Sequence, residues 1–203
     1  MLKKNDSDTN LSNLGVLSLV LARGLTNLPS LVVSLLLVDI ASSFDVQIGV
    51  AGQLRALEGG LSVIFALIMG VLSVKYKPKS LFSIGILIFA VSAITSFYSN
   101  SLTTLFLTYS IVGVAYSIVI PMINTIIGIH VPTEKRTTVI GWTVAGLSTL
   151  YLIGSLSVGY LSQWGWRTTL LLVVVPISII IFTLSRIGIS CLLYTSPSPR
   201  DRS

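Results

Sequence analysis

Six apolar runs, each long enough to cross a bilayer, decide what this chain can fold into. They cover residues 14–38, 49–73, 80–97, 102–129, 137–161 and 168–189. A membrane span needs about 20 apolar residues, and lipid offers the backbone no hydrogen-bond partner, so each run is predicted to be a helix. The runs are too continuous for the alternating pattern of a membrane barrel. Short connections make successive helices antiparallel neighbours. The expected fold is therefore all-α: a polytopic membrane protein whose residues 14–190 form a six-helix transmembrane domain. A polar tail, 1–13, precedes it and lacks the apolar core and small-residue cleavage site of a signal peptide. Composition agrees. Only 10% of the 203 residues are charged and 53% are hydrophobic, whereas a soluble domain carries about 25% charged residues. So few charges cannot cover a soluble globule of this size, which excludes a cytosolic enzyme, a nucleic-acid binder and a disordered chain. A single cysteine excludes a disulfide framework and a Cys-rich metal site.

The net charge of +6 reads as topology. Lys3 and Lys4 precede the first span, Lys75, Lys77 and Lys79 fill the second connection, Lys135 and Arg136 the fourth, and Arg186 lies near the end of the sixth span. All fall on one side; the other carries Asp39, Asp45 and Arg167. The positive-inside rule puts both ends of the six-helix unit in the cytoplasm, in what is expected to be a bacterial or archaeal inner or plasma membrane. Trp164 and Trp166 are expected as anchors at the outer interface, and His130 as an interfacial residue at the cytoplasmic end of the fourth span. Residues 191–203 stand apart. Cys191–Asp201 resembles the translation of a transposase sequencing adapter, so this tail is expected to be non-native and the gene to be cut near Ser190.

The informative residues are charges inside the spans: Arg23, Arg55 and Glu58. Each costs a few kcal/mol or more in lipid and so faces a cavity or a partner. Arg23, Asn27, Ser30 and Ser34 form a narrow stripe along the first helix, as a water-filled path requires. Arg55, Glu58 and Ser62 share one face of the second, and Tyr109, Tyr116 and Asn124 lie roughly together on the fourth. At about 1.5 Å per residue, Arg23 and Glu58 differ by roughly 9 Å in depth, so Arg55, three residues from Glu58, is its easier partner. Substrate-binding or coupling candidates are thus Arg23, Asn27, Ser30, Arg55, Glu58, Tyr116 and Asn124. A structural ion pair without a transport role is the rival reading. Gly141, Ala145 and Thr149 predict a close-approach face on the fifth helix. Pro29, Pro121 and Pro176 are expected to interrupt hydrogen bonding in the first, fourth and sixth. No zinc-spaced His pair, nucleophile elbow or phosphate-binding loop occurs, so no cofactor and no metal is expected.

The second connection, Gly70-Val-Leu-Ser-Val-Lys-Tyr-Lys-Pro-Lys79, resembles the loop between helices 2 and 3 of the major facilitator superfamily, Gly-x-Leu-x-Asp-Arg-x-Gly-Arg-Arg/Lys. Gly70, Leu72 and Lys79 match and Lys75 replaces the usual Arg, while Val74, Lys77 and Pro78 depart from the pattern. Gly70 is expected to let helices approach, and the lysines to hold the loop against anionic headgroups. Gly49-Val-Ala-Gly-Gln53, Pro132-Thr-Glu-Lys-Arg136 followed by Gly141, and Gly165-Trp-Arg167 resemble other facilitator connections. Gly154-Ser-Leu-Ser-Val-Gly159 resembles a motif of their fifth helix, with Ser155 in place of a Pro associated with antiporters. Tyr109 stands four residues before Gly113, where the family usually has Arg, so that residue's proton-relay role does not carry over. Gly60-Leu-Ser62 and Gly70-Val-Leu-Ser73 echo in Gly146-Leu-Ser148 and Gly159-Tyr-Leu-Ser162, as expected of two three-helix repeats, 14–97 and 102–189.

The resemblance implies the N-terminal half of a twelve-helix secondary transporter working by alternating access, with a small-molecule solute between the halves and proton coupling through Glu58. An arginine-bearing site suits an anionic solute. Implied partners are the solute, membrane lipid and the missing C-terminal half, with no nucleic acid and no enzymatic activity. The alternative is a membrane interaction or assembly protein with the same helices and no transport.

Overall fold

The computed structural model describes residues 11–189; the tail from 191 lies outside them. The elements are α1 (Asn13–Leu25), α2 (Leu28–Leu35), α3 (Leu37–Ser43), α4 (Ile48–Lys75), α5 (Pro78–Phe97), α6 (Leu102–His130), α7 (Thr133–Leu161), a 3-10 turn (Ser162–Trp164) and α8 (Trp166–Gly188). Six spans result: Asn13–Leu35, Ile48–Ser73, Pro78–Phe97, Leu102–His130, Thr133–Trp164 and Trp166–Gly188. The expected all-α bundle is present, and its spans lie close to the apolar runs.

The first span is not one helix. Pro29 has no N–H, so the Leu25 carbonyl loses its partner one turn on. The backbone tightens instead. Asn27 N donates to Gly24 O at 3.2 Å, and the Thr26 hydroxyl donates to Arg23 O at 2.7 Å. The helix resumes at Leu28 with Pro29 in its first turn, where a missing N–H costs nothing. Pro121 and Pro176, by contrast, sit inside α6 and α8, which remain continuous in assignment.

Packing follows a simple order. The first span lies against α7 and α8, α6 lies against α4 and α5, and α5 meets α8. Exchanging each span for the one three places along maps this set of pairs onto itself. The buried share differs sharply between spans: 67% of the first, but 11% of the second and 17% of the fifth. α4 and α7 therefore flank the core with broad open faces.

Both ends of the bundle are tied by side chains that satisfy helix termini. On the lysine-bearing side, Ser12 Oγ accepts from Gly15 N (3.1 Å) and donates to Gly188 O (2.8 Å), so the start of α1 closes the end of α8. Lys79 Nζ donates to Arg186 O at 3.2 Å and also to Ile189 O. Arg136 donates to Gly128 O (2.7 Å) and Val131 O (3.0 Å) at the end of α6. These cations sit where terminal carbonyls need donors and the helix dipole is negative. Lys79 thus engages the protein, where lipid headgroups were expected. On the opposite side, Trp166 Nε1 donates to Ser43 Oγ (3.0 Å) and Arg167 to Ser99 O (3.0 Å). The Arg167 guanidinium lies 4.5 Å from the Trp166 ring and 5.4 Å from Phe44. Gly165, at φ 86°, takes a conformation that side chains resist, which lets α8 start against the end of α3.

Several expectations need correction. Trp166 is buried, and only Trp164 is exposed as an interface anchor would be. His130 is buried too, its Nδ1 3.1 Å from Ile126 O, because the end of α6 is covered by protein. Gly141, Ala145 and Thr149 are exposed, and a Cβ at Gly141 would meet nothing. The packed face of α7 is Thr143, Gly146, Gly154 and Val158. Gly70 is likewise exposed with open space around it, so it brings no helix closer.

Candidate functional site

The site grows from one crossing. α6 lies so close to α4 that a Cβ on Gly113 would collide with the Glu58 carbonyl oxygen and come within 3.2 Å of Ser62 N. Only glycine permits that approach. It sets the register of the two helices and brings Tyr109, one turn before Gly113, beside the Glu58 side chain. From the other flank α2 presents Ser30. The Leu28 restart after the break fixes where Ser30 falls, and Ser30 is buried.

Four side chains meet at the carboxylate. Ser30 Oγ donates to Glu58 Oε1 at 2.8 Å and lies 3.1 Å from Oε2. The Tyr109 hydroxyl donates to Oε2 at 3.0 Å. Arg55 Nη1 donates to Oε2 at 3.2 Å, forming an ion pair across one turn of α4. Glu58 is buried and Tyr109 has no exposed surface. The carboxylate therefore has one charged partner and two neutral donors, which offset the cost of burying it. The partners differ in freedom: Ser30 and Tyr109 sit in the core, whereas the Arg55 side chain is 45% exposed.

Arg23 is half-buried and makes neither a side-chain hydrogen bond nor an ion pair among the described residues. The direct Arg23–Glu58 pair is absent, as the difference in depth predicts. Asn27 points elsewhere from Ser30. Its amide lies 3.4 Å from Thr26 Oγ1, and it lines an open cavity of about 510 Å³ with Leu147, Ser148, Tyr151, Leu152 and Ser155 of α7. Tyr116 is half-buried and Asn124 exposed; neither bonds to Glu58, so the tyrosines and Asn124 of α6 do not converge. In the second connection Lys79 closes α8, while Gly70 and Lys75 are exposed and Leu72 packs partly against the core. Among the described residues no three His, Cys, Asp or Glu side chains gather as metal ligands.

Of the candidates expected from the sequence, Glu58, Arg55 and Ser30 come together, and Tyr109, which was not among them, joins them. The Tyr109–Gly113 spacing was the available signal: a tyrosine one turn from a glycine crossing is held against the facing helix.

A carboxylate buried within the spans is held by donors from three of them, and Asn27 of the broken first span lines a separate, mostly apolar open cavity. Among curated proteins nothing matches the chain. A family model described as Major Facilitator Superfamily matches residues 15–203. That match covers nearly the whole sequence, so this integral membrane protein belongs to the Major Facilitator Superfamily, a family of transporters that handle small solutes.

Proposed function

We propose that the chain is part of a proton-coupled transporter that moves a small solute by alternating access. Residues 14–190 act as one six-helix half, built as two three-helix repeats, with both ends cytoplasmic. The main pairings of spans, unchanged when each is exchanged for the one three along, support the repeat reading. The open faces of α4 and α7 fit a half that meets further protein. The solute is contacted from the first span by Asn27, with Ser148, Tyr151 and Ser155 of α7 along the same cavity, and Arg23 of that span is a further candidate. Ser155 stands in place of the Pro that the resemblance associates with antiporters, which weakens an efflux reading.

One observation carries the proton assignment. Glu58 is a buried carboxylate whose only ion-pair partner among the described residues is a half-exposed arginine. A purely structural pair gains from fixed geometry on both sides; here one partner is free to leave. The test is Glu58→Gln in the full-length protein, reconstituted and driven by an imposed pH gradient. Proton-driven accumulation should vanish while some solute binding and solute exchange persist. Full proton-driven uptake or export by Glu58→Gln would remove Glu58 as the coupling group and point to a carboxylate elsewhere in the protein.

A further inference from the structure

The open cavity beside the first-span break is lined without a single charged side chain. Its wall is Asn27 of the first span with Leu147, Ser148, Tyr151, Leu152 and Ser155 of α7. The α7 residues recur at three- and four-residue spacing, which puts them on one face of the helix. No Lys, Arg, His, Asp or Glu is among them, although Arg23 stands only four residues before Asn27. The volume of about 510 Å³ falls within the range of small-molecule sites, roughly 300–1,000 Å³. A charged solute there would leave water for a mostly apolar wall that holds no opposite charge, which is costly for an anion and a cation alike.

Most of the hydrogens of that wall are already engaged. Ser155 Oγ donates to Leu152 O at 2.8 Å, and Ser148 Oγ makes a long contact with Val144 O at 3.5 Å. One Asn27 amide hydrogen goes to Thr26 Oγ1 at 3.4 Å. A hydroxyl that donates keeps lone pairs that accept. The wall left to a solute is therefore rich in acceptors: the Asn27 amide oxygen and the oxygens of Ser148, Tyr151 and Ser155. Against these stand one amide hydrogen and the Tyr151 hydroxyl hydrogen. A carboxylate brings acceptors only and finds few donors. An alcohol brings one hydrogen with each oxygen and accepts in return. Leu147, Leu152 and the Tyr151 ring suit the C–H surface of such a molecule.

We infer that this cavity binds an uncharged, hydroxylated solute, a sugar or a polyol. The inference rests on the reading of the cavity as the solute's contact surface, and it departs from the anionic solute that the arginines of the spans suggest. Arg23 does not line the cavity, so its charge is not part of this wall.

The test uses the full-length protein in a nonionic detergent, its native cysteines changed to serine, carrying Ser155→Cys or, separately, Ser148→Cys. Each thiol meets three methanethiosulfonates of similar length: hydroxyethyl, which is uncharged, sulfonatoethyl, an anion, and trimethylammonioethyl, a cation. Every rate is divided by that of the same reagent with free 2-mercaptoethanol. The thiolate fraction at the site is common to all three reagents and cancels between them. The uncharged reagent should lead both charged ones by about tenfold or more. Asn100→Cys, on the exposed connection between α5 and α6, should show no such preference. Asn27→Asp should bring the cationic reagent to the front at Ser155→Cys, because it places a carboxylate in the shared wall. Glucose, sorbitol and inositol, and separately lactate, succinate and phosphate, are then tried as protectants of Ser155→Cys against the uncharged reagent. At least one of the first three should slow its reaction several-fold. An anionic reagent that keeps pace with the uncharged one overturns the inference. So does protection by an anion, or by none of the three hydroxylated probes.

Failure here is separable from failure of the broader reading. Glu58→Gln tests the proton site, which has no residue in this cavity. If the uncharged reagent fills Ser155→Cys and proton-driven transport continues at the unmodified rate, the cavity is not on the solute's path and the inference falls with that part of the proposal. If modification stops transport while an anion protects, the cavity stands as the solute's contact surface and the uncharged solute alone falls.

Discussion

Two crossings occupy the middle of the bundle, and they use glycine for opposite ends. Where α6 meets α4, Gly113 lets backbone touch backbone at Glu58. The space is filled, and the buried Ser30 and Tyr109 hydroxyls are held within hydrogen-bond distance of the Glu58 carboxylate. Where α7 meets α2, Gly154 faces only the tips of two side chains, Leu28 Cδ2 at 2.6 Å and Leu31 Cδ2 at 3.1 Å from its absent Cβ. That contact can give, and beside it the Asn27 cavity stays open. The difference teaches where each part of the chemistry can live. A buried carboxylate needs donors that cannot drift, because every lost bond there is paid in desolvation. A solute cavity needs the reverse, a wall that adjusts as the solute enters.

The comparison breaks most visibly at the glycines. Gly113→Ala should cost about 3 kcal/mol, the upper end of overpacking, because its new Cβ meets a carbonyl that cannot move without shifting a helix. Gly154→Ala should stay within about 1 kcal/mol, since leucine tips can change rotamer and alanine favours the helix. Thermal unfolding of both variants in detergent measures the gap. Equal costs would mean that the two crossings do not differ in kind.

A smaller effect sharpens the polar side of the contrast. Tyr109→Phe and Ser30→Ala each remove a donor from a buried charged group and should each destabilise by about 1.5–3 kcal/mol. In a Glu58→Gln background the same changes should cost less, because a neutral amide loses less than a carboxylate when a donor goes. Asn27→Ala, made in the open cavity, should alter stability by no more than about 0.5 kcal/mol and act on solute binding instead. Chemical-denaturation cycles over these variants give the numbers. A Tyr109→Phe cost unchanged by Glu58→Gln would show that the tyrosine acts by packing alone.

The pattern of what was readable in the sequence follows from what lipid does to a chain. The spans were legible because a bilayer leaves the backbone one solution, so length and apolarity suffice. Which face of a span meets protein was not legible, because lipid tails are as apolar as leucine and leave no contrast. That is why the stripe of Gly141, Ala145 and Thr149 attracted attention while the packed face ran through Thr143, Gly146 and Gly154. Polar residues escaped this ambiguity. Arg55 and Glu58 had to meet something, and three-residue spacing on one helix put them together. Tyr109 needed the register of α6 on α4, a tertiary fact that Gly113 sets and no local pattern reveals. The first-span break was half-written in Pro29, yet where the helix stopped depended on Thr26 and Asn27 bonding back to the previous turn. Trp166 shows the converse failure. A tryptophan near a span end suits an interface, but Ser43, Phe44 and Arg167 converge on this one and bury it.

The smallest effect tests the same comparison on the outer side of α7. Gly141 has open space where its Cβ would go, whereas a Cβ at Gly146, on the adjoining face, would come within 2.8 Å of Val20 O. In a helix alanine is favoured over glycine by up to about 1 kcal/mol, so Gly141→Ala should leave the 203-residue chain unchanged or slightly more stable. Gly146→Ala should destabilise it, because Val20 O belongs to the backbone of α1 and cannot step aside. The pair separates two meanings of a small residue on one helix: a required close approach, and a site with nothing against it. Repeating Gly141→Ala in the full-length protein extends the test. A loss of more than about 1 kcal/mol there, absent from the 203-residue chain, exceeds what an uncrowded surface change produces. It would mean that the exposed stripe of Gly141, Ala145 and Thr149 is covered by protein outside this chain. An equally small effect in both would leave the stripe facing lipid or the open cavity, with its small side chains demanded by no neighbour.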